Sequence, residues 1–155
     1  MREMRRVAAL PLAIATVLGL WGAGAARAEL EQVRREPNLE KRSKLALENA
    51  DAALKAARET YRAGDTADTT TKVNEIIESV DLAYSSLSET GKNPRKSPKY
   101  FKQAEMQTRE LSRKLDDFQH EMSYTDRPSL DKVRLRVQEV HDELLTGLME
   151  GRKKR

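Results

Sequence analysis

Residues 39–61 read LEKRSKLALENADAALKAARETY, and this stretch decides the fold. Its apolar side chains recur at spacings of three and four residues, which places them on one face of a helix. The members of this face are Leu39, Ala46, Leu47, Ala50, Ala53, Leu54, Ala57 and Tyr61. Half of them are alanines, and such small side chains allow a neighbouring helix to approach closely. The stretch therefore predicts an amphipathic helix over residues 38–63 that packs tightly against a second helix.

Three further segments repeat this helical spacing, over residues 68–90, 98–123 and 128–150. Their apolar positions are Val73, Ile76, Ile77, Val80, Ala83, Tyr84 and Leu87 in the first, Phe101, Ala104, Leu111, Leu115, Phe118 and Met122 in the second, and Leu130, Val133, Val137, Val140, Leu144 and Leu148 in the third. No segment keeps the period-two alternation of a half-buried strand. The sequence therefore predicts an all-α protein.

Glycine and proline mark the limits of these helices. Gly64 and Gly91 follow the first and second segments, where a left-handed C-cap residue is expected. Ser97 and Pro98 would supply a capping hydroxyl and a proline at the first position of the third helix. Four long helices with short connections predict an up-down-up-down antiparallel four-helix bundle over residues 38–150, with coiled-coil-like packing. The alternative is two long helical hairpins, 39–90 and 98–148, that stack on each other.

The N-terminal 28 residues have the three parts of a secretory signal. A basic run, residues 2–6, precedes an apolar stretch that begins at Val7, and small residues lead to Ala26 and Ala28 in an A-x-A cleavage pattern. We expect export to the periplasm or the medium by the general secretory route, with cleavage after Ala28 and no membrane span afterwards. The alternative is an uncleaved anchor helix, because residues 7–26 approach the roughly 20 residues that span a bilayer.

Cleavage changes the charge of the chain. The full sequence carries 29 basic and 25 acidic side chains, and residues 1–28 hold four of the former and one of the latter. The remaining +1 does not indicate a nucleic-acid-binding surface. With no cysteine, the stability of the domain must come from packing without disulfides. Residues 29–37 are highly charged and predict a loose lead-in, and residues 151–155 predict a solvated basic tail.

The sequence contains no motif that predicts catalysis. It has two histidines, and Asp117 and His120 have the i, i+3 spacing of di-iron bundles, but His141 has Gln138 at the matching position. Zinc-protease, nucleotide-loop and haem-attachment motifs are absent. We therefore expect no enzyme activity, no cofactor and no metal, and we expect both histidines to lie beside the apolar stripes.

The most specific local feature is a basic segment, residues 91–102, that contains five cations and no acid. Acidic residues normally occupy the first turn of a helix, because the helix N-terminus carries partial positive charge. A cationic first turn with free backbone amides instead suggests a site for an anion or a partner. The predicted site residues are Lys92, Arg95, Lys96, Ser97, Lys99 and Lys102. By contrast, Glu75, Glu78 and Asp81 are interpreted as an ordinary solvated face, and the alternative is an acidic surface for self-association.

Three classes of function remain open. The leading hypothesis is an exported, non-catalytic protein that binds or scaffolds a protein or an anionic component of the cell envelope, with homodimer formation possible. The second is an exported chaperone or stress protein, which would have an exposed apolar groove lined by methionines such as Met106 and Met122. The third is a bundle that binds a small molecule or cofactor, which would place a buried polar cluster around His120 or His141.

Overall fold

The computed structural model describes residues 29–150, and within them the chain is helical with no strand. Four long helices pack against each other, as the sequence predicts. They are α1 (Leu39–Arg62), α2 (Thr66–Glu89), α3 (Pro98–Glu121) and α4 (Asp131–Glu150). A 3-10 turn, Arg127–Leu130, precedes α4, and residues 29–34 form a short lead-in helix. No helix in residues 29–150 is long and apolar enough to cross a membrane.

Side-chain caps and glycines define the limits of the first two helices. The Asn38 side chain accepts a hydrogen bond from the Lys41 amide at 2.9 Å, and Asp65 caps α2 in the same way at 2.9 Å. Each cap satisfies one of the amides that a helix leaves without an internal acceptor. Gly64 and Gly91 have φ angles of +79° and +66°. The predicted left-handed conformations after α1 and α2 are therefore confirmed.

Successive helices run in opposite directions. The two helical hairpins stack so that a helix of one hairpin lies beside a parallel helix of the other. Lys114 of α3 contacts Asp51 of α1 at 2.6 Å, and farther along the same two helices Arg62 contacts Glu121 at 2.9 Å. These contacts advance together along both helices, so α1 and α3 run in parallel. Both predicted descriptions therefore hold: the helices alternate up and down, and hairpin α1–α2 stacks on hairpin α3–α4.

The two ends of the bundle differ in their loops. The starts of α1 and α3 lie with the ends of α2 and α4, because Lys92 contacts Glu40 and Pro94 contacts Gly147. This end, which contains the loop 90–97, is called the basic end. The other end contains the loops 63–65 and 122–126 and is called the opposite end.

Helices α1 and α2 form the most closely packed pair in the described chain, and the alanines of α1 contribute to its buried face. Ala46, Ala50, Ala53 and Ala57 are all buried. Small side chains shorten the distance between helix axes and increase the number of van der Waals contacts. The close approach predicted from the alanine content of residues 39–61 is confirmed.

The lead-in is more ordered than its charge predicts. Residues 29–34 are helical, and Leu30 and Val33 are only 2% and 8% exposed. Arg34 reaches Glu78 of α2 at 3.5 Å, which attaches the segment to the first hairpin. Burial of one leucine stabilises a fold by roughly 2 kcal/mol. The expectation of a loose lead-in is therefore wrong, because two apolar residues three positions apart anchor an otherwise charged segment.

The start of the fourth helix also differs from its prediction. The sequence places it at Pro128, whereas residues Arg127–Leu130 form a 3-10 turn and the α-helix begins at Asp131. Leu130 is fully buried. The tighter turn brings this side chain into the core before the α-helix begins. The predicted signal, its cleavage residues Ala26 and Ala28, and the basic tail 151–155 lie outside the described residues.

Candidate functional site

The basic segment forms an exposed turn at the basic end. Asn93 organises it, because its carbonyl oxygen accepts hydrogen bonds from the Lys96 and Ser97 amides at 3.1 and 2.9 Å. Its side-chain oxygen accepts a further bond from the Arg95 amide at 2.9 Å. The six predicted site residues, Lys92, Arg95, Lys96, Ser97, Lys99 and Lys102, are all exposed. The structure therefore brings them together on one solvent-facing turn and the first turn of α3.

The cations of this segment differ in their partners. Lys92 forms an ion pair with Glu40 at 2.5 Å. The Lys99 ammonium lies 5.2 Å from the centre of the Tyr100 ring, within range of a cation–π contact. Within residues 29–150, Arg95, Lys96 and Lys102 have no ion pair. Lys92 is thus partly neutralised, and the positive charge of the end resides mainly on the other four side chains.

Three acids near these cations are paired with other basic side chains. Glu36 contacts Lys41 at 2.7 Å, Glu89 lies 3.8 Å from Arg42, and Glu40 contacts Lys92. The hydrogen bond and the charge of Lys41 lower the pKa of Glu36, which keeps its carboxylate ionised. These three acids therefore do not neutralise the turn at 93–97.

The predicted capping role of Ser97 is wrong. Its side chain makes no cap hydrogen bond to α3, in contrast to Asn38 at α1 and Asp65 at α2. Its backbone has φ −130° and ψ 65°. The Lys99 and Tyr100 amides therefore have no acceptor in residues 29–150. Unpaired first-turn amides and a helix dipole favour an anion at this position.

A cavity of about 180 Å³ lies beneath the same loop. Its lining residues are Tyr84, Ser88, Lys92, Pro94, Phe101, Glu143, Leu144 and Gly147. Burial and the Glu143 carboxylate raise the pKa of Tyr84. Arg95, Lys96, Lys99 and Lys102 do not line this cavity. The free cations are therefore on the outer surface of the end and do not surround a pocket.

The two histidines have different environments. His120 is exposed, whereas His141 is mostly buried and bridges two carboxylates. Its Nε2 lies 3.0 Å from Glu105 of α3, and its Nδ1 lies 3.0 Å from Asp142. Arg109 also donates to Glu105, at 2.7 Å. Within residues 29–150 no group of three or more possible ligands could hold a metal ion. The polar cluster that a small-molecule-binding or cofactor-binding bundle would place around His141 is therefore present, and it joins α3 to α4.

Sequence reasoning missed the buried carboxylate of this network. Glu105 is only 6% exposed, although it lies in a charged part of α3. A signal was available, because Glu105 is four residues after the buried Phe101 and three before the buried Thr108. That spacing places it at the edge of the apolar face. A carboxylate there requires donors, which Arg109 and the imidazole of His141 supply.

A second buried polar cluster lies between α1 and α2. Asn49 donates to Glu75 at 3.0 Å and to Ser79 at 2.9 Å, and Lys72 lies 3.7 Å from Glu75. Lys72 is 3% exposed and Glu75 is 8% exposed. The interpretation of Glu75 as part of a solvated face is therefore wrong.

The two other acids of that predicted face are also paired. Glu78 contacts Arg34, and Asp81 contacts Arg136 of α4 at 2.6 Å. The hydrogen bonds that Arg136 donates to Asp81 and Glu139 raise its pKa. These acids hold the lead-in and α4 against α2, and they do not form a free acidic surface for self-association.

An open groove runs between the parallel helices α1 and α3. It has a volume of about 530 Å³ and three apolar lining residues, Leu47, Met106 and Leu111. The rest of its lining is polar or charged: Glu48, Asp51, Gln107, Glu110 and Lys114. Met106 is 63% exposed, whereas Met122 is buried. The groove therefore contains Met106 but is mostly polar, and the expected lining by Met122 is wrong.

The opposite end contains a closed hydrogen-bond network. The Tyr61 hydroxyl donates to Asp126 at 2.9 Å and accepts from the Ser123 amide at 2.9 Å. Hydrogen bonds from Ser123 and Tyr61 lower the pKa of Asp126. Arg58 and Arg62 both pair with Glu121, at 2.7 and 2.9 Å. This end uses its polar side chains to fix its own loop.

No protein-family model and no curated protein matches this chain.

Proposed function

We propose that this is an exported, non-catalytic helical protein that binds or scaffolds a macromolecular partner in the cell envelope through its basic end. The observation that carries the proposal is the set of exposed cations Arg95, Lys96 and Lys102, which have no ion pair within residues 29–150. Uncompensated charge contributes little to folding but strongly to the recognition of an anionic partner. The amides of Lys99 and Tyr100 add directional donors at the same place.

The polar networks elsewhere support a non-catalytic role. His141 is held by Glu105 and Asp142, and the Glu75 cluster is closed by Asn49 and Lys72. Each network joins two helices, which is a structural use of its polar groups. The proposal of export depends on residues 1–28. Cleavage after Ala28 would leave Glu29 as the first residue of the ordered lead-in helix.

The proposal is tested by expressing the full sequence in its source and purifying the protein from the envelope fraction at low and high salt. We expect a companion, either a protein or an anionic component of the envelope, that is present at low salt and lost at high salt, because salt screens exposed charges. The Lys96→Gln and Lys102→Gln double variant should lose it. The control is Lys55→Gln with Lys132→Gln, which removes two exposed lysines from other parts of the bundle. Equal recovery with both double variants would refute a role for the basic end.

The groove between α1 and α3 favours a second candidate, an exported helical chaperone. Its exposed Met106 would contact an unfolded chain. The discriminating measurement is suppression of the aggregation of a denatured test protein. Activity that disappears with Met106→Glu and persists with the Lys96/Lys102 variant would assign the function to the groove. Absence of activity in the unmodified protein would remove this candidate.

A further inference from the structure

The shape of the basic end suits a flat target better than a small ligand. Small molecules are usually bound in concave sites that surround them. Here Arg95, Lys96 and Lys102 are exposed on a turn and a helix start, and they lie outside the cavity beneath the loop. A convex cluster of cations can contact many anionic groups at once only if those groups form an extended surface.

The C-terminal helix finishes at the same end. Gly147 of α4 packs near Pro94 of the basic loop, and the helix ends at Glu150. The sequence continues with Arg152, Lys153, Lys154 and Arg155, outside the described residues. Clusters of four to eight Lys and Arg side chains are a recognised feature of segments that bind anionic lipids. The four exposed cations of the loop and α3, Arg95, Lys96, Lys99 and Lys102, reach that number by themselves.

Exposed apolar side chains lie in the last turns of α4, the helix that finishes at this end. Met149 is 70% exposed in the last turn of α4, and Leu145 is 38% exposed one turn earlier. Apolar side chains beside a basic surface enter the boundary between lipid headgroups and acyl chains. An acidic protein face would need the cations but would gain little from an exposed methionine at the edge.

We propose that the target of the basic end is an anionic phospholipid surface, contacted by Arg95, Lys96, Lys99 and Lys102 with Met149 at its edge. This inference depends on the proposed function, because it names the partner of the same site. Lipid phosphates would accept from the cations and from the free amides at the start of α3. The bundle would then stand on the membrane by one end.

The test measures co-sedimentation of the mature protein, purified after expression of the full sequence, with vesicles. Vesicles of phosphatidylglycerol and phosphatidylcholine are compared with vesicles of phosphatidylcholine alone. We expect binding only to the anionic vesicles. Equal binding to both would overturn the inference, and so would the absence of binding to either.

Substitutions test which side chains of the protein bind the vesicles. Each cation near an anionic membrane contributes about fivefold in affinity, so Lys96→Gln with Lys102→Gln should weaken binding about 25-fold. The Lys55/Lys132 control should bind like the unmodified protein. We expect Met149→Gln to weaken binding about tenfold at unchanged charge. An unchanged affinity for the Met149 variant would overturn the lipid assignment in favour of an acidic polymer.

Competition separates lipid phosphate from free phosphate. Inorganic phosphate and chloride at matched ionic strength should displace the protein to the same extent. Displacement by phosphate alone would overturn the inference, because the site would then recognise the free anion. If vesicle binding fails while the Lys96/Lys102 variant still loses its salt-sensitive companion, the lipid assignment is wrong and the proposed function stands. If that companion is also unaffected, both are wrong.

Discussion

The two ends of the bundle use polar side chains in opposite ways. At the opposite end, Tyr61 joins α1 to the loop 122–126, and Glu121 receives both Arg58 and Arg62. At the basic end, Arg95, Lys96 and Lys102 have no ion pair within residues 29–150, and Ser97 leaves the start of α3 uncapped. The basic end also has pairs, because Asn38 caps α1 there and Lys92 contacts Glu40. The contrast is therefore between two connections: the loop 122–126 is fixed by its own hydrogen bonds, whereas the loop 93–97 and the start of α3 keep uncompensated charge.

This comparison predicts that changes at the opposite end affect stability while changes at the basic end affect binding. The largest loss of stability should come from Tyr61→Ala. The variant loses two hydrogen bonds and an edge-to-face contact with Phe118, whose ring centre lies 5.8 Å away. We expect a loss of about 2–3 kcal/mol in the free energy of unfolding, measured by urea denaturation. The control Tyr124→Ala, at a side chain that is 85% exposed, should change it by less than about 0.5 kcal/mol.

The next prediction compares the unfolding free energies of two variants, each with one charge removed at one end of the bundle. Glu121→Gln removes the partner of two arginines and leaves Arg58, whose Nε is already buried without an acceptor, less compensated. We expect a loss of about 1 kcal/mol. Lys96→Gln should leave the unfolding free energy unchanged. A similar loss for both variants would contradict the division between the two ends.

A smaller effect on the free energy of unfolding should have the opposite sign, a gain in stability. Ser97→Asp places a carboxylate among the cations and next to the free amides of α3. We expect the variant to gain about 0.5 kcal/mol of stability at low salt, seen as a higher Tm, and to bind anionic vesicles more weakly. Ser97→Asn is the neutral control for capping alone. A gain in stability without any loss of vesicle binding would separate the helix start from the binding surface.

The smallest effect concerns the stability of the fold at acidic pH. Ser123 and Tyr61 lower the pKa of Asp126, so this group stabilises the fold above its unfolded pKa of about 3.9, and the contribution is lost as the pH falls through the folded pKa. Tyr61→Phe removes one donor and should move the pKa of Asp126 back towards its usual value. Titration of the Asp126 carboxyl by NMR checks this. An unchanged titration would show that Tyr61 does not contribute.

The helix limits were predictable because local chemistry sets them. Asn38, Gly64 and Gly91 act within one or two turns of their own position, and the observed bounds of α1 and α2 agree with the predicted segments within about two residues. The 3-10 turn before α4 was not predicted. It places Leu130 in a core formed by other helices, and the local sequence gives no information about the position of those helices.

The pairing of the polar groups was less predictable. The spacing of Glu75 along α2 gives its position on the helix but not the presence of Asn49 on the facing helix, which makes its burial possible. The same holds for Glu105 and His141. The basic segment at 91–102 was recognisable because its unusual feature is local: cations where a helix normally has acids. Its lack of partners depends on the distant pairs of Glu36, Glu40 and Glu89.

The close packing of α1 against α2 has a consequence for the order of assembly. The two helices follow each other in the chain, and the lead-in helix that covers them comes before both, so their contacts need nothing from residues 98–150. Such local contacts form quickly, and N-terminal parts of a chain have the first opportunity to fold during synthesis or translocation. The basic end needs the start of α3 and the end of α4. The surface proposed to bind would therefore be completed last, when the whole chain has emerged.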